Sequence, residues 1–129
     1  MTDEITLGAN NFKWLKDADT TGLTLFRSNY SYGVYSLGES YGSQFSVPAG
    51  KKLIILKMGF FGDSDNMQIY DSTSADSATG TKLYDTRDST AQDYSIDCYI
   101  EIATGHYVNV EVPDPKQVQV CALCILTST

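Results

Sequence analysis

Few residues of this chain are able to carry out chemistry, and their spacing limits what they can do. His106 is the only histidine among 129 residues, so a nucleophile–histidine–acid triad has no other source of an imidazole. It follows Gly105 in a turn, with no Gly-x-Ser-x-Gly nucleophile elbow nearby. Asp97 and Glu101 share one face of a predicted strand and Glu111 follows on the next, but outward-facing acids on strands are ordinary. We therefore predict a protein that is not an enzyme and needs no cofactor.

The three cysteines do not form a recognisable disulfide or zinc pattern. Cys121 and Cys124 spell C-x-x-C, but they lie within an apolar segment that is typical of a strand. Side chains alternate between the two faces of a strand, so an odd spacing of three places these thiols on opposite faces. A second pair of ligands is missing as well. We predict structural thiols that are buried or half-buried, and no metal at this motif.

Calcium is the metal for which the sequence offers the best ligands. Asp63, Asp65 and Asn66 are close together in a predicted loop, and Asp71 follows within reach. Carboxylate and amide oxygens suit calcium, although the spacing does not match an EF-hand. The same residues also favour Asx turns, which use their side chains to cap the local backbone. Both interpretations stay open.

Charge and hydropathy exclude two further classes of partner. The net charge is −7, whereas a nucleic-acid-binding protein needs a basic face. The acidity is concentrated in residues 63–114, which hold eleven Asp and Glu against only Lys82 and Arg87. The longest apolar runs are far shorter than the ~20 residues of a membrane-spanning helix. The start of the chain shows no basic segment followed by an apolar one, so we predict no signal peptide and synthesis in a cytoplasm.

Short segments of alternating apolar and polar residues, separated by Gly, Pro, Asn, Asp and Ser, predict an all-β protein. We expect an antiparallel β-sandwich, jelly-roll-like, with eight or nine short strands. Two hairpins are predicted, one over residues 94–112 and one over residues 44–56. The last strand, over residues 117–127, is apolar on both faces near its end, so we expect it to lie centrally or beneath a partner. The predicted strands cover residues 23–26, 30–37, 44–47, 51–56, 67–70, 82–84, 94–102, 107–112 and 117–127.

Two segments carry candidate interface residues. Residues 1–22 are predicted to be an N-terminal arm that leads into a single domain, residues 23–129, and the arm offers Phe12 and Trp14 as apolar anchors. Residues 29–42 concentrate four tyrosines among small residues. Aromatic side chains at a surface anchor protein contacts or stack on sugar rings, and they also pack within ordinary strands. The interface candidates are Phe12, Trp14, Tyr30, Tyr32, Tyr35 and Tyr41.

Residues 45–55, with Val47-Pro48-Ala49-Gly50-Lys51 at their centre, resemble a strand–turn–strand segment of small jelly-roll proteins in tailed bacteriophages. These are head-decoration and fibre-associated virion accessory proteins. The resemblance covers about a dozen residues, and it implies a virion surface location, a homotrimer and contact with capsid protein. It carries over no functional residue.

These observations predict a structural protein of a phage virion, which decorates or stabilises the particle by binding a capsid or other virion protein. The alternative is a carbohydrate-binding module, with or without a requirement for calcium, that uses exposed tyrosine rings and the acidic loop over residues 63–76. The two hypotheses differ in what Tyr32 and Tyr35 do, because the alternative requires their rings to be open to a glycan.

Overall fold

In this computed structural model, residues 20–29, 33–40, 42–62, 67–85, 94–112 and 118–129 are described. That part of the chain contains eight β-strands and no helix. The strands are β1 (Thr21–Asn29), β2 (Gly33–Ser36), β3 (Lys51–Gly62), β4 (Gln68–Ser72), β5 (Thr81–Asp85), β6 (Tyr94–Ile102), β7 (Tyr107–Val112) and β8 (Val118–Ser128). Each overlaps a predicted strand, but β3 continues to Gly62, beyond its predicted end at residue 56.

The strands form two antiparallel sheets of four. The order in the first sheet is β1-β8-β3-β6, and the order in the second is β2-β7-β4-β5. The first strand therefore pairs with the last, the second with the seventh, the third with the sixth and the fourth with the fifth. This nested order is that of a jelly roll, in which a chain folded back on itself is rolled into a sandwich. The predicted fold class, an antiparallel jelly-roll-like β-sandwich, is confirmed.

The core lies between the two sheets and is built from alternate residues of each strand. Leu25, Ile55 and Phe60 from the first sheet, and Ile69 and Val110 from the second, are among its members. Burial of such side chains stabilises the sandwich by roughly 1.5–3 kcal/mol each. The Tyr84 ring stacks on Phe60 with centroids 5.3 Å apart, which joins β5 of the second sheet to β3 of the first.

Both predicted hairpins are wrong. In the described residues β6 pairs with β3 in the first sheet, whereas β7 lies between β2 and β4 in the second. The turn at Thr104-Gly105 thus connects the two sheets. Residues 44–48 are not a strand, so the turn before β3 has a strand on one side only. Alternation fixes which face of a strand is buried, but it does not identify the neighbouring strand.

Two features of the first sheet determine what its outer face presents. Strand β8 lies between β1 and β3, which confirms its predicted central position. Strand β3 contains a register shift between Ile55 and Lys57. Because Ile55 and Met58 both belong to the core, the two residues between them, Leu56 and Lys57, face outward together.

Candidate functional site

Most of the predicted site residues lie outside the described part of the chain. These are Phe12, Trp14, Tyr30, Tyr32 and Tyr41 of the interface set, together with Asp63, Asp65 and Asn66 of the calcium set. Tyr35 and Asp71 are described, and the structure does not bring them together: Tyr35 pairs with Val110 in β7 and Asp71 with Val108.

Tyr35 is half-buried and packs against the core from β2. The Arg27 guanidinium carbon lies 4.7 Å from the centroid of its ring, a cation–π contact that links β1 to β2 across the sandwich. Its hydroxyl lies so close to Gly33 that a Cβ atom added there would approach it to 2.7 Å. The ring therefore has structural contacts with both sheets.

Asp71 lies near the C-terminal end of β4, and its carboxylate Oδ1 is 2.7 Å from His106 Nδ1. Both side chains are partly buried. Residues 63–66 precede the other end of β4 in the sequence. Because the residues of a strand advance by about 3.3 Å each, the strand separates Asp71 from that end. This pair joins β4 to the start of β7. The histidine, which the sequence placed in a turn by itself, has a carboxylate partner.

A buried polar network lies on the outer face of the second sheet. The Asn109 side chain on β7 is fully buried; its Nδ2 donates to the carbonyl oxygens of Ser74 and Ser77, at 2.9 and 2.8 Å. Its Oδ1 accepts a hydrogen bond of 2.7 Å from Ser36 Oγ, which is also buried. All three of the hydrogen bonds that anchor this amide are made within the protein, so residues 73–80 are held against the sheet.

Asp76 completes the attachment of this loop. Its φ of 50° is in the left-handed region, which Asp tolerates better than most residues. Its backbone N–H donates to Ser36 Oγ at 3.0 Å, and its Oδ1 accepts from the Ser36 backbone N–H at 2.8 Å. Gln44 Nε2 donates to the other carboxylate oxygen. These carboxylate oxygens therefore attach the loop to residues distant in the sequence, whereas an Asx turn would bond the local backbone.

The first sheet presents a different outer face, which we call the outer apolar face. Three large apolar side chains of the described residues are exposed, and all three lie on this face. They are Phe61 at 42%, Tyr99 at 53% and Leu123 at 51%. Ile54 and Ile125, which are paired across β3 and β8, lie on the same face; both are buried but do not belong to the core between the sheets. Leu56, Phe26 and Cys121 are half-buried on the same face.

The charges on the outer apolar face are balanced. Lys52 and Lys57 on β3 form ion pairs with Glu101 and Asp97 on β6, at 3.4 and 3.5 Å. The other described side chains of the face, on β1 and β8, are neutral. This neutrality contrasts with the net charge of −7 of the whole chain.

The three free thiols occupy the two sides of the first sheet as the strand spacing predicted. Cys124 is 1% exposed and faces the core, whereas Cys121 is half-buried on the outer apolar face. Burial, with a smaller contribution from the nearby Cys98 thiol, raises the pKa of Cys124 to about 12. Burial also raises the pKa of Cys98 and of Cys121. These thiols are therefore protonated at neutral pH and chemically quiet.

The described part of the chain lacks a metal-binding cluster and a membrane-spanning helix. No three or more His, Cys, Asp or Glu side chains lie together there in a way that would hold a metal ion. No helix in those residues is long and apolar enough to cross a membrane.

Sequence reasoning missed the polar network and the outer apolar face. Asn109 alternates with Val108 and Val110, which is typical of the polar face of a strand, and nothing in that alternation indicates that a loop about 30 residues earlier in the sequence covers it. For the outer apolar face a signal did exist, because β8 is apolar on both faces near its end. That signal predicted a central strand or a partner, and the central position is confirmed.

Comparison with known proteins gives little further information. No family model matches the chain, and no match was found among curated proteins. Among solved structures, a similar chain is found in the cryo-EM structure of the virus-like particle of extra small virus from the giant freshwater prawn, Macrobrachium rosenbergii. The two chains are 16% identical, with a TM-score of 0.37, over 85% of this chain and 77% of the other.

Proposed function

We propose that this chain is a non-enzymatic structural protein of a tailed-phage virion, made in the host cytoplasm, which decorates or stabilises the particle through protein–protein contacts. The observation that carries this proposal is the outer apolar face, where Phe61, Tyr99 and Leu123 are each more than two-fifths exposed. Several large apolar side chains exposed on one face of a folded domain are a feature of protein contact surfaces. A fold by itself does not assign a function, so the proposal depends on this surface and on the sequence resemblance.

The segment that carries the resemblance is part of the framework of the domain. Val47 is buried, and Pro48 to Lys51 form a turn in which the Lys51 N–H donates to the Pro48 carbonyl oxygen at 3.1 Å. Gly50 has a φ of 75°, a left-handed conformation that glycine adopts at little cost. The turn leads directly into β3, the strand that carries part of the outer apolar face.

We further propose that the N-terminal arm, through Phe12 and Trp14, and the segment from Tyr30 to Tyr41 contact a capsid or other virion protein. The resemblance also implies a homotrimer. Deletion of residues 2–16 should leave the sandwich folded, because β1 begins at Thr21, and should abolish binding to the particle. Far-UV circular dichroism and thermal melting establish that the shortened chain is folded.

Co-purification tests the proposal. Particles from cells that carry the encoding genome are separated on a density gradient, and the chain is quantified by immunoblotting against the major capsid protein. A constant ratio of the two across the particle peak is expected for the full-length chain, with loss of the chain from that peak after the deletion. A full-length chain that remains at the top of the gradient would contradict the proposal. A shortened chain that still binds particles would contradict the role of the arm only.

A further inference from the structure

We infer that the outer apolar face binds a second copy of this chain, with the two first sheets packed face to face about a two-fold axis. The inference rests on the proposed role as an assembling structural protein and names one of its partners. It replaces the threefold arrangement that the sequence resemblance implies.

The first step is that the two sheets differ in how their outer faces are covered. Over the second sheet, residues 73–80 are held down by the buried Asn109 side chain and by Asp76. Over the first sheet, Leu123 on the central strand β8 remains half exposed, beside the buried pair Ile54 and Ile125. A strand in the middle of an antiparallel sheet usually alternates apolar and polar residues when one face meets water. The outer face of β8 departs from that rule at Cys121, Leu123 and Ile125, as a strand with a second apolar neighbour does.

The second step is that the charges of this face permit a second copy and give a charged partner no advantage. Two chains of net charge −7 repel each other, so a self-contact needs a face on which charges cancel. The outer apolar face meets this requirement, because Lys52 and Lys57 are matched by Glu101 and Asp97 on the neighbouring strand. A basic partner would instead be attracted to the acidic residues elsewhere in the chain.

The third step is geometric. A two-fold axis along the strands, between two facing sheets of order β1-β8-β3-β6, places β6 over the partner copy's β1 and β3 over its β8. The acidic residues of β6 then face the neutral outer side of the partner copy's β1. The lysines of β3 lay their aliphatic stems against the apolar side chains of its β8. In this arrangement no row of charged side chains lies opposite a row of the same sign.

The area of the face is consistent with a weak pair. Four strands about 4.8 Å apart, each about ten residues long at about 3.3 Å per residue, present roughly 600 Å². Two such faces bury roughly 1,200 Å² in total, which is at the lower limit for specific, stable interfaces. We therefore expect a dimer that dissociates on dilution.

The oligomeric state of the purified full-length chain tests the inference. Light scattering after size exclusion, from about 1 to about 100 μM, should give twice the 14.2 kDa chain mass at the upper concentrations. Leu123→Gln should raise the dissociation constant of the dimer about tenfold or more, because it removes an apolar side chain from the centre of the contact. The matched control is Val34→Gln, which makes the same kind of change at a half-buried position on the outer side of the second sheet and should leave the dimer intact.

A second measurement does not depend on any variant. Cys121 lies on the outer apolar face, so its alkylation by iodoacetamide, followed by mass spectrometry of its peptide, should slow as the concentration of the chain rises. Cys124 faces the core and should show no such dependence. A wild-type chain that is monomeric or trimeric, or a dimer unaffected by a folded Leu123→Gln variant, would overturn the inference. Binding to particles in the gradient experiment is measured separately, so the proposed function can fail or survive independently.

Discussion

At the scale of single residues, Asn109 makes the most demanding set of contacts. Replacing it with Ala removes three hydrogen bonds: the buried Ser36 hydroxyl loses its acceptor, and two part-buried loop carbonyl oxygens lose their donor. Unpaired buried polar groups cost roughly 1–3 kcal/mol each when water cannot reach them. We expect Asn109→Ala to lower the free energy of unfolding by about 2–4 kcal/mol in urea titrations. Limited proteolysis should then cut residues 73–80 first, and the exposed loop variant Thr73→Ala should behave as wild type.

Tyr35 separates the virion interpretation from the carbohydrate alternative. Its ring packs on the core and carries the Arg27 guanidinium, so Tyr35→Ala should cost about 2 kcal/mol of unfolding free energy. Tyr35→Phe keeps the ring and should change stability by less than about 1 kcal/mol. Thermal melts of both variants measure the difference. If Tyr35→Ala is as stable as wild type but loses binding on a glycan array, the ring acts as a sugar platform and the alternative gains support.

Cys124 gives the pH dependence of stability a definite sign. Its pKa is raised from 9.0 to about 12 in the folded chain, so between those values the unfolded chain binds fewer protons than the folded one. Stability is therefore fully present below pH 9 and is lost as the pH rises towards 12. The slope from this thiol approaches about 1.4 kcal/mol per pH unit. Urea titrations from pH 8 to about pH 11 should show a shallower decline for Cys124→Ala than for wild type. Parallel declines would show that the buried thiol does not contribute.

At the scale of elements, two glycines in the described residues should respond in opposite ways to alanine. Gly80, just before β5, has a φ of 98°, and a Cβ there would lie 2.1 Å from the Asp71 carbonyl oxygen. Gly80→Ala should therefore destabilise the fold by roughly 2 kcal/mol or more, because strain and a backbone clash add together. Gly22, in β1, has open space around its Cβ position, so Gly22→Ala should be neutral or stabilise by up to about 1 kcal/mol. Chemical denaturation of both variants provides the comparison, and equal effects would contradict it.

The elements also show what sequence reasoning can and cannot recover. Alternation located the strands because burial of one face leaves a local, period-two record, as in β6, where Ile96 and Ile100 face inward and Asp97 faces out. Pairing leaves no such record in a jelly roll. In the described residues β4 and β5 are the one consecutive pair of strands that are hydrogen-bonded neighbours, so a hairpin is the wrong default for the others.

The candidate site was recoverable only in part, for a related reason. The apolar outer residues of β8 are visible in the sequence, because Leu123 and Ile125 occupy positions where a strand exposed to water would be polar. The remainder of the outer apolar face depends on which strands lie beside β8, as with Tyr99 on β6 and Phe61 on β3. The network around Asn109 depends on a loop packing over the sheet, which sequence patterns do not encode.

At the scale of the whole molecule, the two ends of the chain should contribute very differently to folding. Strand β8 pairs with β1 over nine positions and with β3 along its full length, so it holds the first sheet together. Removing residues 118–129 would leave β1 without its neighbour and expose the core beside Leu25 and Phe60. We expect this truncated chain to lack a cooperative thermal transition and to show a disordered far-UV spectrum, whereas deletion of residues 2–16 should preserve both. Because the nested pairing places β8 between β1 and β3, the first sheet cannot be completed before residues 118–128 have been synthesised. A truncated chain that melts cooperatively would show that the second sheet and β3 fold without it, and would contradict this account of the jelly roll.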